Sequence, residues 1–172
     1  MTTIQPTNVA RTFGQDELIV TKTNLKGVLQ YANPLFIDLA GYSEDELLGK
    51  PHSVIRHPEM PRAVFALLWE AIQAGREIFA YVKNMSSNGD HYWVYAHVTP
   101  SFDGTGQVVG YHSNRRCPDD AAIAKVESLY AEMRAAERAV GDGPASHEAG
   151  RARLDEELEK HGLSYDEFVF SL

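Results

Sequence analysis

Hydrophobic and polar positions change period several times along the chain, and each change marks an element. Residues 17–23 (ELIVTKT) are rich in β-branched side chains and predict a strand. Asn24-Leu25-Lys26-Gly27 reads as a turn, and residues 28–31 as the returning strand of a hairpin. Pro34 can open a helix through Leu35, Phe36, Leu39 and Ala40, which Gly41 closes. Ser43-Glu44-Asp45-Glu46 has the spacing of a capping box, so a brief second helix is predicted before Gly49 and Pro51. Residues 52–61 hold two prolines and read as irregular. Pro61 suits the first position of a longer helix, with Val64, Phe65, Leu68, Trp69 and Ile72 along one side and Gly75 past its end.

Period two returns after residue 77. Residues 78–85 predict a strand, and Ser86-Ser87-Asn88-Gly89 is a strong hairpin signal. Residues 91–99 alternate, with Tyr92, Val94, Ala96 and Val98 on one face and Trp93, Tyr95, His97 and Thr99 on the other. Asp103-Gly104-Thr105-Gly106 turns the chain into a last strand, residues 107–115. The order β-β-α-α-α-β-β-β predicts an α+β fold: a five-stranded antiparallel sheet with helices on one face. Residues 119–140 carry a helical stripe of Ile123, Val126, Tyr130, Met133 and Ala136. Gly141-Asp142-Gly143-Pro144 breaks it, Ser146 is expected to open a further charged helix, and Ser164-Tyr165-Asp166-Glu167 is a second capping box.

Charge divides the chain. Residues 1–118 hold 10 Lys+Arg against 11 Asp+Glu, whereas residues 119–172 hold 6 against 13. This shift predicts an N-terminal cap at 1–16, a domain at 17–118 and an acidic helical extension at 119–172. The net charge of −8 argues against a nucleic-acid partner, which needs a basic face. No apolar run is long enough to span a membrane, and residues 1–15 lack the apolar core of a secretory signal. The single cysteine, Cys117, cannot form an internal disulfide. The expected compartment is therefore the cytoplasm.

Candidate chemistry gathers in two places. Arg56, His57 and Glu59 lie in an irregular, proline-flanked stretch before a helix, a plausible anion site. An aromatic set, Trp69, Phe79, Tyr81, Tyr92, Trp93 and Tyr95, accompanies polar Asn33, Asn84 and His97. Buried amides need partners, and a planar heterocycle would supply them, although rings that merely fill a core are the plainer explanation. The seven histidines have no compact metal-ligand spacing. Serine-nucleophile, phosphate-loop and paired-carboxylate patterns are missing, so no catalytic residue and no enzyme activity is expected.

The segments Tyr31-Ala32-Asn33, Gly41-Tyr42, Arg56-His57-Pro58-Glu59-Met60-Pro61, Val82-Lys83-Asn84 and Asn88-Gly89-Asp90-His91-Tyr92-Trp93 together resemble PAS domains. The resemblance is closest to the flavin-binding PAS domain of bacterial aerotaxis receptors, and it runs from about Leu18 to Met133. It implies FAD held non-covalently, with Asn33, Arg56, His57, Glu59, Trp69, Phe79, Asn84, Trp93 and Tyr95 as the binding set. The isoalloxazine would lie among Asn33, Trp69, Phe79, Asn84 and Tyr95, with the pyrophosphate toward Arg56 and His57. Two positions depart from the family: Glu59 replaces an aspartate, and Phe79 a frequent tryptophan. The cysteine motif of light-sensing relatives has no counterpart. The implied function is a cytoplasmic redox or oxygen sensor that signals in trans to a partner protein, as a homodimer. The alternative is a cofactor-free or haem-binding interaction module.

Overall fold

The computed structural model describes residues 4–172, so the first three residues of the expected N-terminal cap lie outside the described residues. Strands β1 (Ile19–Thr23), β2 (Leu29–Ala32), β3 (Ile78–Met85), β4 (His91–Phe102) and β5 (Val108–Arg116) form one antiparallel sheet in the order β2-β1-β5-β4-β3. Helices α1 (Pro34–Ala40), α2 (Glu44–Leu47) and α3 (Arg62–Gln73) connect β2 to β3. Helices α4 (Asp120–Val140), α5 (Pro144–His161) and α6 (Tyr165–Phe170) follow the sheet.

Local chemistry sets most of the boundaries. Asn33 caps α1 by accepting from the Phe36 amide, and Gly41 ends it in the left-handed region. Ser43–Glu46 and Ser164–Glu167 both form the reciprocal capping box that their spacing predicts. Two expectations shift. Residues 52–61 contain a 3₁₀ turn, His52–Ile55, and Arg56 then bridges Asn84 at the edge of β3. Helix α5 begins at Pro144, two residues before Ser146, because proline at its first turn gives up an amide that has no helical partner.

Residues 5–11 run beside the start of β4: the Thr7 amide donates to the Gly89 carbonyl, and the Arg11 amide to that of His91. Arg11 also donates to the carbonyls of Asp38 and Leu39 at the end of α1. The buried core is continuous past residue 118. Phe36, Leu39, Leu47, Val94 and Ala96 share one cluster with Val126, Met133 and Leu154.

Both faces of the sheet are covered. Val82, Asn84, Ala96, Val98, Ser113 and Arg115 face the chamber beneath α3, whereas Phe79, Tyr81, Lys83, Trp93 and Tyr95 have the opposite parity. On that second face Trp93 packs against Tyr130 of α4, and Phe79 meets Phe170 of α6 edge-on at 5.0 Å. The Tyr130 hydroxyl donates to the Tyr81 carbonyl at 2.7 Å, and the Tyr165 hydroxyl to the Phe79 carbonyl at 2.9 Å.

Candidate functional site

A cavity of about 250 Å³ lies between the inner face of the sheet and the segment from the 3₁₀ turn to α3. That is just below the ~300 Å³ at which small-molecule sites begin. Strand alternation supplies Thr21, Val82, Asn84, Ala96, Val98, Tyr111, Ser113 and Arg115 to its floor. Helix α3 supplies Phe65, Leu68, Trp69 and Ile72 at three- and four-residue steps, so its stripe meets the cavity along the helix. Trp69 stands edge-on to Tyr111 at 5.7 Å. Lys26, Gly27, His52, Ser53 and Arg56 also line it.

Polar atoms in this apolar wall lack partners. The Asn84 Nδ2, Ser113 Oγ and Arg115 Nη1 atoms are buried and make no hydrogen bond within the chain. A lone buried donor costs roughly 1–3 kcal/mol, so these three mark the part of the wall where a ligand or ordered water gains most by bonding. Arg115 is pushed down to about 10 by burial and stays charged at neutral pH. His52, half-buried beside it, is pushed well below the ordinary imidazole range by loss of hydration and by Arg115, and is neutral. The Arg56 guanidinium lies 4.3 Å from the Phe65 ring centre.

Of the nine residues singled out from sequence, the structure brings Arg56, Trp69 and Asn84 to the cavity wall. Asn33 is spent elsewhere: its oxygen accepts from the Val20 and Phe36 amides, and its nitrogen donates to the Leu18 carbonyl. Phe79, Trp93 and Tyr95 project from the other face of the sheet, where α4 and α6 pack, so a ring in the cavity cannot lie among them. Their parity is fixed by the β3–β4 register, which pairs Phe79 with His97 and Lys83 with Trp93.

His57 and Glu59 belong to a neighbouring polar cluster. His57 is completely buried. Its Nδ1 accepts from the Glu59 amide at 3.1 Å, and its ring meets His91 edge-on at 5.9 Å. Burial, reinforced by the Lys83 cation, drives its pKa down to about 4, so it is neutral. Lys83 Nζ donates to Glu59 at 2.5 Å and pairs with Glu127 of α4 at 3.5 Å, and the Lys83 bond holds the Glu59 carboxyl below its usual range. The cluster thus fastens the 56–61 segment to β3 and α4.

Sequence reasoning missed His52, Thr21, Ser113 and Arg115. One signal was available: Tyr111, Ser113 and Arg115 alternate on one face of β5, which puts an arginine on an inward position. Cys117 does not line the cavity. Among the described residues, no three His, Cys, Asp or Glu side chains are grouped to hold a metal ion. Among them, too, no helix is long and apolar enough to cross a membrane.

Comparison with known proteins agrees with this architecture. The chain is 40% identical over 120 residues to the aerotaxis receptor of Escherichia coli (strain K12), covering 70% of this chain and 24% of the receptor. It is 28% identical over 118 residues to the biofilm dispersion protein BdlA of Pseudomonas aeruginosa, covering 66% of this chain and 27% of that protein. The chain therefore spans about a quarter of the length of these relatives. Among solved structures, the light-state structure of the blue-light photoreceptor Aureochrome1 LOV superposes with a TM-score of 0.57 at 23% identity, covering 69% of this chain and 92% of that one. Residues 29–115, from the start of β2 to the cavity arginine on β5, match the family model described as PAS fold, and with half its length inside that match this chain belongs to the PAS family.

Proposed function

We propose that this chain is a sensor that holds FAD non-covalently, with the ring system rather than the whole dinucleotide in the cavity, and passes redox or oxygen status to a partner protein. The observation that carries the reading is the trio of unpartnered polar atoms, Asn84 Nδ2, Ser113 Oγ and Arg115 Nη1, in one cavity wall. A flavin's pyrimidine edge offers acceptors and a donor side by side, which matches an amide, a hydroxyl and a guanidinium. Trp69 and Phe65 supply aromatic surface, and Arg56, which also lines the cavity, would hold an anionic tail. The family resemblance read from the sequence implies FAD, and 40% identity to an aerotaxis receptor supports an oxygen-linked role.

Bound flavin would supply a two-electron centre whose ring nitrogens gain protons on reduction. The chain's own part is to sense that change. The Asn84 amide has one donating and one accepting end, so turning it over answers a change at the ligand edge. Asn84 lies on β3, two strand positions from Val82 and paired through its backbone with Arg56. The same strand anchors α4 through Tyr81 and α6 through Phe79. A shift in β3 therefore reaches the helices through two hydrogen bonds. A coupling of ~1–3 kcal/mol is enough for such a switch. We place the signalling partner on these helices, in trans, with the chain acting as a homodimer in the cytoplasm.

The test is the visible spectrum of the purified chain after reconstitution with FAD, before and after dithionite. The two-banded flavin spectrum, bleached by dithionite, supports the proposal, and mass analysis of the extract identifies FAD. A chain that takes up no flavin overturns it, and a Soret band replaces it with haem.

A further inference from the structure

Buried arginines ordinarily face carboxylates, because an isolated ion out of water costs several kcal/mol. Arg115 is only 5% exposed and faces none. Its Nη2 donates to Thr21 Oγ1 at 3.0 Å and to His52 Nε2, both neutral. Its guanidinium lies 5.6 Å from the Phe36 ring centre. The nearby Tyr92 hydroxyl is kept protonated by burial. Among the described residues Arg115 has no ion pair, and its Nη1 has no hydrogen-bond partner. Two further cations, Lys26 and Arg56, line the same cavity without ion pairs, and no aspartate or glutamate lines it. The wall is therefore positive by three charges and negative by none.

We propose that Arg115 makes this cavity an anion-selecting site, whose ligand is a planar molecule presenting a negatively charged, oxygen-bearing edge to the guanidinium. Such an edge gains a charge-assisted hydrogen bond from Nη1 and replaces the hydration that burial removed. Thr21 and His52 act as positioning residues: they occupy Nη2 and leave Nη1 the unpartnered end of a guanidinium that lines the cavity. The inference names the ligand class of the site already described. Its application to FAD rests on the flavin reading, in which the pyrimidine edge meets Arg115 and carries a negative charge only when the ring is reduced.

Two probes of equal shape separate charge from fit: 2-naphthoate and its uncharged counterpart 2-naphthamide. Calorimetric titration of the full chain, freed of bound small molecules, should show naphthoate binding at least about tenfold more tightly, the effect of one charge-assisted bond. Arg115→Met should erase that preference, and Arg115→Lys should keep part of it. Equal binding of the two probes by the unmodified chain, or binding of neither, overturns the proposal without recourse to a variant. So does a preference that survives in Arg115→Met. A chain that takes up no flavin but prefers naphthoate refutes the flavin reading and leaves the role of Arg115 standing. A flavin-loaded chain whose stripped form shows no charge preference does the reverse.

Discussion

Replacing Glu137 with alanine should weaken the whole molecule although Glu137 does not line the cavity. Glu137 lies on α4 and is 6% exposed. Its Oε2 accepts from the Arg62 amide at 3.0 Å, and its Oε1 from the Ala63 amide at 2.9 Å. These are the first amides of α3, and Pro61 at the capping position offers no side-chain bond of its own. One carboxylate from a different helix thus does the work of an N-cap and also meets the positive end of the helix dipole. Hydrogen bonds to a charged acceptor are worth ~1.5–3 kcal/mol each, and an N-cap lost to alanine usually costs ~0.5–2 kcal/mol. The expected loss is about 2–4 kcal/mol. Glu137→Gln keeps one accepting oxygen and should lose roughly half of that. In urea, with a slope of ~2 kcal/mol per molar, Glu137→Ala moves the midpoint down by about 1–2 M without changing the slope. Hydrogen exchange at the Arg62 and Ala63 amides should speed up in the same variant. A midpoint within experimental error of the parent, with those amides still protected, would refute the assignment of Glu137 as the cap of α3.

Three further outcomes follow from particular contacts. The folded pKa of His57, about 4, lies below its unfolded value of ~6.5, so its contribution to stability is complete above ~6.5 and declines as pH falls toward 4. Unfolding curves at several pH values should therefore be flatter for His57→Gln over that window, and parallel curves would count against a buried neutral imidazole. Gly27 has φ +74° and its added Cβ would lie 3.0 Å from Trp69 Cζ2, so Gly27→Ala should cost about 1–2 kcal/mol and, on the proposed flavin reading, loosen ligand retention by displacing the indole. Equal retention in a binding assay would show that Trp69 is free to move. Tyr130→Phe leaves the buried Tyr81 carbonyl unpaired and should cost about 1–3 kcal/mol in urea denaturation, a loss absent if water reaches that carbonyl.

The elements were legible where local chemistry decides them. The capping boxes at Ser43 and Ser164, the Asn88-Gly89 turn and the alternation through β4 each carry their own signal, and each forms as read. The placement of aromatic residues was not legible. Period two tells which residues share a face but not which face meets which helices, and here both faces are covered. Phe79, Trp93 and Tyr95 serve the layer beneath α4 and α6, a layer that exists only because the chain after residue 118 folds back. Asn33 misled for a different reason. Its polarity suggested a ligand partner, yet three backbone groups consume its amide. Arg115 carried the opposite lesson: read by composition it is one of two adjacent basic residues, but read by parity it points inward.

The same fold-back bears on how a binding event could be felt outside the cavity. Three ties link cavity elements to the C-terminal helices: Glu137 holds the start of α3, Lys83 joins Glu59 to Glu127, and Tyr130 and Tyr165 bond the outer side of β3. Two of the cavity's walls, α3 and β3, are therefore shaped partly by residues after 118. Coupling of this kind is reciprocal. If a ligand firms α3 and β3, it favours docking of α4–α6 by some factor, and a partner that pulls those helices away must weaken the ligand by the same factor. Loosening the ties one at a time, as Glu137→Gln and Tyr130→Phe do, should then lower ligand affinity in proportion to the share of that coupling each tie carries, although neither residue touches the cavity.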